Sequence, residues 1–137
     1  MKNLKSKSGC KGLIAVEAAL ILPLFLLLIA GIVDFGRVLM IQQVLTYAAR
    51  EGVRSGAVRF DDAEALAEAE LMARSAISQS GLDPAEAGIV PAIAVVEDTS
   101  ALRLRIDYPF HSGLAAWIPG MNANFELQSQ AFMRREA

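Results

Sequence analysis

A 21-residue run with a single charge limits most strongly what this chain can fold into. The run covers residues 13–33, and its one charged residue is Glu17. About 20 apolar residues in a helix cross the roughly 30 Å hydrocarbon core of a bilayer. The sequence therefore predicts a transmembrane helix here. Pro23 lies inside it and is expected to kink the helix rather than end it, because neighbouring groups in a membrane satisfy the freed carbonyl.

The charges are divided between a basic start and an acidic remainder. All four lysines lie before residue 12, whereas the chain from Leu13 onward carries nine arginines and fifteen acidic residues, a net charge of −6. Basic residues flanking a transmembrane helix mark its cytoplasmic side. We therefore expect a basic, flexible cytoplasmic leader at residues 1–12 and an exported domain at residues 34–137. An acidic domain also argues against binding of nucleic acid.

Other interpretations of the apolar run are weaker. A cleaved secretory signal normally has an apolar region of about 7–15 residues and a small-residue cleavage site. This run is longer, and Leu28 breaks the small-residue pattern before Ala30. A buried helix of a soluble protein is rarely apolar on all sides for about six turns. A plain membrane anchor stays open as the simplest alternative.

The helical pattern continues beyond the membrane segment. Apolar residues recur there at spacings of three and four, at Val38, Ile41, Leu45, Ala48 and Ala49. This spacing predicts one helix from about Leu13 to about Ala57, with its first half in lipid and its second half packed on the exported domain.

A second helix is predicted over residues 62–79, which are rich in strong helix formers. Asp61 or Asp62 can cap its start, and Gly81 is expected at its end. Its apolar side is expected to contain Leu66, Ala69, Met72 (or Ala73) and Ile77.

Beyond Pro84 the apolar spacing alternates, which is typical of strands. Strands are predicted at residues 89–96, 101–108 and 124–133, with a turn at 97–100 and a loop with a short helical turn at 109–121. The core face of the middle strand is expected to contain Leu102, Leu104, Ile106 and Tyr108. The predicted fold class is α+β. A long N-terminal helix, transmembrane in its first half and exported in its second, precedes a second helix and a small three-stranded antiparallel sheet.

Gly12 and Glu17 stand at the junction of the basic leader and the apolar run. A membrane-embedded peptidase reading the leader needs a small, extended residue at the scissile position, and glycine provides it. Cleavage after Gly12 would make Leu13 the new amino terminus. An ammonium group from the same chain or a neighbour would then offset the cost of placing Glu17 in lipid. Glu17 would thereby register one subunit against another, although a simple interfacial acid remains the alternative.

A second motif covers residues 48–54. The small residues Ala48, Ala49 and Gly52 allow close packing, and Arg50 and Arg54 lie one helical turn apart. Arg54 could pair with Glu51, or Arg50 with an acid on the sheet. We expect this segment to pack the helix on the domain, and docking of a partner is the less favoured alternative.

These motifs resemble those of a known family. Residues 12–17 look like the processing site of type IV pilins and pseudopilins. Residues 15–37, 48–54 and 131–136 are similar to the TadE-like pseudopilins of tight-adherence (Flp) pili. Leu13 stands where many pilins have Phe, and Ala18 where major Flp pilins typically have Tyr, so the chain looks less like a major subunit.

The resemblance implies a minor pilin-like component of the bacterial inner membrane, cleaved after Gly12 by a prepilin peptidase. It implies a role in pilus biogenesis, adhesion and secretion. The implied partners are that peptidase, other pilins or pseudopilins, the pilus assembly platform and the lipid bilayer. A second function stays open, namely an uncleaved single-pass protein whose periplasmic domain binds a ligand.

Catalytic and metal-binding patterns are not found in the sequence. The chain has one histidine, His111, and one cysteine, Cys10, which is interpreted as an incidental thiol. We therefore predict no enzyme activity, no cofactor and no metal site. Trp117 with Phe110 and Ile118 could form an exposed docking patch, but a loop aromatic folded onto the sheet is the favoured interpretation.

Overall fold

The computed structural model describes residues 9–96, 99–115, 118, 120 and 122–135 of the chain. Two helices precede a three-stranded antiparallel sheet, so the predicted α+β class is confirmed. The elements are α1 (Gly9–Ala57), α2 (Asp62–Gln79), β1 (Gly88–Val96), β2 (Thr99–His111) and β3 (Asn124–Arg134).

Helix α1 is continuous over 49 residues and passes through Pro23 without ending. It begins at Gly9, earlier than the predicted start at Leu13, so the end of the predicted flexible leader is helical. Extending an existing helix fixes only one more residue for each added hydrogen bond. Apolar spacing does not report such an extension, because the residues that it adds are polar or small.

The two halves of α1 lie in different surroundings. Its second half contributes Ile41, Leu45, Ala48, Ala49 and Val53 to the core, and Val38 packs against them. The large apolar side chains of residues 13–33 are instead 42–75% exposed. Within the described residues, α1 is the one helix that is long and apolar enough to cross a membrane. The helix is therefore compatible with membrane anchoring.

Helix α2 begins at a predicted cap, Asp61, and its C-terminal cap lies next to the predicted one. The Asp61 carboxylate accepts a hydrogen bond from the Glu64 backbone N–H at 3.2 Å. At the other end Gly81 has a φ of +79°, which favours glycine, and the Leu82 N–H donates to the Ile77 carbonyl at 3.3 Å. This is a Schellman ending in which Ser80 is the C-cap and Gly81 the residue after it, so the cap lies one residue earlier than predicted.

The buried side of α2 differs in part from the prediction. Alanines dominate it, and its members are Ala65, Ala69, Ala73, Ala76 and Ile77. Ala73 rather than Met72 is buried, and Leu66 is only half-buried. The prediction named Ala69, Ile77 and the alternative Ala73 correctly but missed Ala65 and Ala76, because the short distance between the two helices favours alanine where they cross.

Two glycines of α1 produce this short distance. A Cβ atom on Gly52 would lie 2.7 Å from the Ala69 carbonyl oxygen and 2.5 Å from Leu104 Cδ2. A Cβ atom on Gly56 would lie 2.5 Å from the Ala65 carbonyl oxygen. Any residue larger than glycine at either position would force the two helices apart. Gly52 and Gly56 therefore set the contact between α1 and α2.

The sheet has the order β1-β2-β3, with both helices on one face. The predicted core face of β2 is confirmed, since Leu102, Leu104 and Ile106 are fully buried and Tyr108 is 6% exposed. Val96 pairs with Thr99, so the first hairpin needs only residues 97 and 98 as its connection. The predicted turn at 97–100 was therefore too long, and residues 97 and 98 lie outside the described residues.

Strand β2 also continues past its predicted end, through residues 109–111. Pro109 led to a loop prediction because proline cannot donate a ladder hydrogen bond. The Arg135 backbone N–H donates to the Ser100 carbonyl. Because the direction of the backbone hydrogen bonds alternates along a strand, the even-numbered residues of β2 bond to β3 and the N–H groups of the odd-numbered residues point toward β1. Pairing with β1 ends at Asp107, so the missing N–H of Pro109 leaves no partner unsatisfied.

Helix α1 and strand β3 run in the same direction. The Gln42 side-chain amide, in the second half of α1, donates to the Gln128 carbonyl in the first half of β3 at 2.9 Å. The Arg135 guanidinium donates to the Arg59 carbonyl at 2.9 Å, where both end. The exposed apolar half of α1 therefore leaves the domain at the end where β3 begins.

Candidate functional site

The predicted processing residues lie on the exposed first turns of α1. Gly12 is helical, and a Cβ atom at this position would have no neighbour within 4 Å. Leu13 is 71% exposed. The space beside Gly12 is thus open, but the backbone there is helical rather than extended as expected for a scissile residue. Glycine is the residue that costs a helix about 1 kcal/mol relative to alanine, so local unwinding is easiest there.

Glu17 projects from the same exposed part of α1. Over the residues that the structure describes, its carboxylate forms no hydrogen bond and no ion pair. Pro23 is likewise exposed within the continuous helix. A carboxylate without a partner among the described residues, placed on an apolar surface, is unfavourable in lipid unless another group supplies a positive charge.

The end of the domain nearest the apolar run is tied to α1 by Asp34, the first residue after that run. Its carboxylate accepts hydrogen bonds from the Ser112 hydroxyl at 2.7 Å and from the Leu114 backbone N–H at 2.8 Å. The Ser112 hydroxyl bond is the main cause that lowers the pKa of Asp34, and the Leu114 N–H adds to it. The sequence marked Asp34 only as the end of the run, because nothing local indicated residues almost 80 positions away.

Arg37 extends this junction toward the sheet. Its guanidinium lies 3.7 Å from the Asp34 carboxylate and 5.4 Å from the centre of the Phe110 ring. Phe110 is only 3% exposed, so it packs in the core and does not form an exposed docking patch. Ile118 is 38% exposed, and Trp117 lies outside the described residues.

The segment of residues 48–54 presents two different sides. Ala48 and Ala49 are fully buried, and Gly52 forms the close contact with α2. Arg50 and Arg54 are exposed, and Arg54 forms an ion pair with Glu51 at 3.2 Å. No acid within the described part of the chain lies at ion-pair distance from Arg50. The small residues pack against the domain and the two arginines point to its surface.

Arg135 near the C-terminus is a buried cation that the sequence reading missed. Its side chain is 8% exposed and forms an ion pair with Asp62. It also donates to the backbone carbonyls of Arg59 and Phe60, at 2.9 and 3.0 Å. Arg135 thereby fixes the connection between α1 and α2. A double arginine near a chain end gives no sequence signal for burial, since arginine is usually exposed.

The described residues contain no group of three or more His, Cys, Asp and Glu side chains that could hold a metal ion. Asp61 acts as a helix cap and Asp62 pairs with Arg135. His111 forms a hydrogen bond with Asn124 at 2.8 Å on the exposed sheet end. None of these groups forms a catalytic arrangement with another.

The features described above are concentrated on α1, and this helix is also where the chain matches known proteins. Residues 12–54 match the TadE-like protein family. The TadE-like match covers nearly all of α1, from Gly12 to Arg54, and none of α2 or the sheet. It confirms the resemblance over residues 12–54, does not extend to residues 131–136, and indicates a role related to Tad pili. Searches of curated proteins and of solved structures gave no match.

Proposed function

We propose that this protein is a minor pseudopilin of a Tad/Flp-type pilus assembly system. The observation that carries the proposal is the division of α1. Within this TadE-like helix, the first half leaves every large apolar side chain of residues 13–33 at least 42% exposed, while the second half is part of the domain core. The subunit is held in the inner membrane by this helix, with its N-terminus in the cytoplasm and its domain in the periplasm.

The same helix supplies the surface for assembly. Apolar side chains on all sides of residues 13–33 can exchange lipid for the helices of other pilins or pseudopilins without losing apolar contact. Because α1 has no break between its two halves, the domain moves with the helix when the subunit leaves the membrane. The protein thus serves pilus biogenesis, and through the pilus adhesion and secretion, without catalysing a reaction.

Processing is proposed at the bond between Gly12 and Leu13, cut by a prepilin peptidase. Gly12 is exposed and helical, so the peptidase must unwind the first turns of α1 before the bond can enter its active site. After the cut, the ammonium group of Leu13 lies about one helical turn from Glu17. This ammonium, or that of a neighbouring subunit, supplies the positive charge that Glu17 does not find among the described residues.

Mass spectrometry of the protein purified from its native membrane tests the proposal. The expected chain begins at Leu13, and the Gly12→Ala variant should retain the leader. Gly36→Ala is the matched control, since Gly36 also lies in α1 with nothing within 4 Å of an added Cβ. The control should be cut normally. A native chain that retains residues 1–11 would reject processing.

A retained leader would favour the second function, an uncleaved membrane-anchored binding module. One observation supports that alternative. An open groove of about 670 Å³ lies at the membrane-distal end of the domain. Its lining includes Arg54, Arg59 and the 91% exposed Phe60, side chains that suit an acidic or aromatic ligand.

A further inference from the structure

We propose that the loop after β2 docks into the headgroup region of the same bilayer that α1 crosses. The docking surface consists of Leu114 and Ile118 of the loop and Phe35 of α1, and Asp34 holds the loop in place. This inference rests on the membrane anchoring of the proposed function and adds a second point of contact with lipid. The partner is the lipid surface on the exported side.

The position of the loop follows from its hydrogen bonds. Ser112 Oγ and Leu114 N both donate to Asp34 Oδ2, at 2.7 and 2.8 Å. Ser112 Oγ also accepts a bond from the Ala115 N–H at 3.0 Å, which closes the turn. Asp34 directly follows the apolar run, so these bonds place the loop where α1 leaves the hydrocarbon.

The Leu114 side chain reaches deeper than its backbone. Its Cδ2 atom lies 3.7 Å from the position of a Cβ on Gly31. Gly31 is three residues before Asp34 and hence about 4.5 Å further into the membrane along the helix axis. A leucine side chain in contact with a membrane-spanning residue lies inside the apolar boundary of the bilayer.

The surrounding surface has the chemistry of a membrane interface. Phe35, just beyond the end of the apolar run, is 64% exposed, and Ile118 on the loop is 38% exposed. Residues 112–121 contain no charged side chain in the sequence, although a loop at the tip of a water-exposed domain is usually polar. Apolar and aromatic side chains next to a transmembrane end are typical of the interfacial region.

The charges at this junction also fit lipid headgroups. Asp34 is the acid closest to the loop, and its side chain is only 15% exposed because Ser112 and Leu114 occupy it. The side chain of Arg37 is 56% exposed and can reach the phosphates of the headgroups. The protein therefore presents the Arg37 cation and apolar side chains to the bilayer surface here, while the Asp34 carboxylate is hydrogen-bonded within the protein.

Site-directed spin labelling of the full chain in vesicles of phosphatidylethanolamine and phosphatidylglycerol tests the docking. Single cysteines replace Ile118, Leu26 or Val58 in a Cys10→Ser background. Leu26 reports the membrane segment, and Val58, 74% exposed beyond the far end of α1, reports water. Collisions with lipid-soluble oxygen and with water-soluble nickel complex are compared. The Ile118 label should lose most of its nickel collisions and fall between the two references.

The outcomes separate this inference from the proposed function. An Ile118 label as accessible to nickel as the Val58 label, with Leu26 in hydrocarbon, overturns the docking and leaves the anchoring intact. A Leu26 label that is itself in water overturns the anchoring, and the docking with it. Protection at Ile118 that disappears when the protein is diluted into excess lipid assigns the surface to a second copy of the chain and rejects lipid as its partner.

The role of Asp34 is tested with the same label. Asp34→Ala removes both hydrogen bonds between the loop and α1, whereas Ser112→Ala removes one of them together with the Ala115 N–H bond inside the turn. Each variant should move the Ile118 label toward water, Asp34→Ala further than Ser112→Ala. Asp107→Asn, a change on the opposite face of the sheet, is the matched control and should leave the label depth unchanged. Unchanged depth in both Asp34→Ala and Ser112→Ala would reject the hydrogen-bonded attachment.

Discussion

Gly52 and Ala69 meet where α1 crosses α2, with the Ala69 carbonyl oxygen only 2.7 Å from the place where a Gly52 Cβ would lie. The Gly52→Ala variant must therefore push the helices apart or displace Leu104. Overpacking of this kind costs about 1–3 kcal/mol and exceeds the gain in helix propensity, which is about 1 kcal/mol at most. We expect a lower unfolding temperature for the full chain in detergent micelles, measured by circular dichroism.

The control for this prediction is Gly36→Ala. An added methyl group at Gly36 meets nothing within 4 Å, so only the gain in helix propensity applies. We expect an unchanged or slightly raised unfolding temperature. Equal effects of both substitutions would show that Gly52 has no special role in helix packing.

Arg135→Ala should destabilise the domain by about 2–3 kcal/mol, because charge-assisted hydrogen bonds to two backbone carbonyls are lost. The ion pair with Asp62 adds little, since the Asp62 side chain is 69% exposed. Arg54→Ala removes an exposed ion pair and should cost less than about 1 kcal/mol. Urea unfolding of the two variants measures the difference, and equal midpoints would contradict the structural role of Arg135.

The pKa of Asp34 lies below its ordinary value of 3.8, chiefly because of the hydrogen bond from Ser112. A carboxyl group with a lowered folded-state pKa stabilises the fold fully above its unfolded pKa, and this contribution is lost as pH falls through the folded pKa. We therefore expect the unfolding free energy to decline below about pH 4. In Asp34→Asn this decline should be shallower, and an identical pH profile would exclude Asp34 as a contributor.

Glu17→Ala should insert into the membrane as well as the unchanged chain does, since it removes the only charge of the apolar run. If Glu17 registers one subunit against another, the variant should lose piliation, as counted by electron microscopy of cells. Glu17→Gln keeps the size of the side chain and should show the same loss. Normal piliation in both variants would remove the registration role.

Local patterns were sufficient to predict most of the fold. Alternation predicted the buried face of β2 residue by residue, and Asp61 and Gly81 marked the ends of α2. These signals come from residues that lie close together in the sequence, so they can be recognised without knowing the fold. Pro109 led to a wrong loop prediction, because whether a proline interrupts β2 depends on where the neighbouring strand β1 ends, and the local sequence does not show this.

The parts that sequence reading missed depend on contacts between distant residues. Ser112 reaches Asp34 and Arg135 reaches Asp62 only because the sheet brings the loop and the C-terminus back to α1. Gly52 was expected to help packing, but its neighbour Ala69 could not be named. Which residue packs against a glycine depends on the residues of the opposite helix. On α2 these are mainly alanines, whereas the sequence also suggested the larger Leu66 and Met72.

The common direction of α1 and β3 limits how two copies can join in one membrane. Copies in the same bilayer have their α1 helices pointing the same way, so their β3 strands also point the same way. An antiparallel sheet extended through two β3 edges would require one helix to leave the bilayer on the opposite side. Neighbouring subunits in a membrane can therefore share a sheet only through parallel edges, and otherwise meet through their helices.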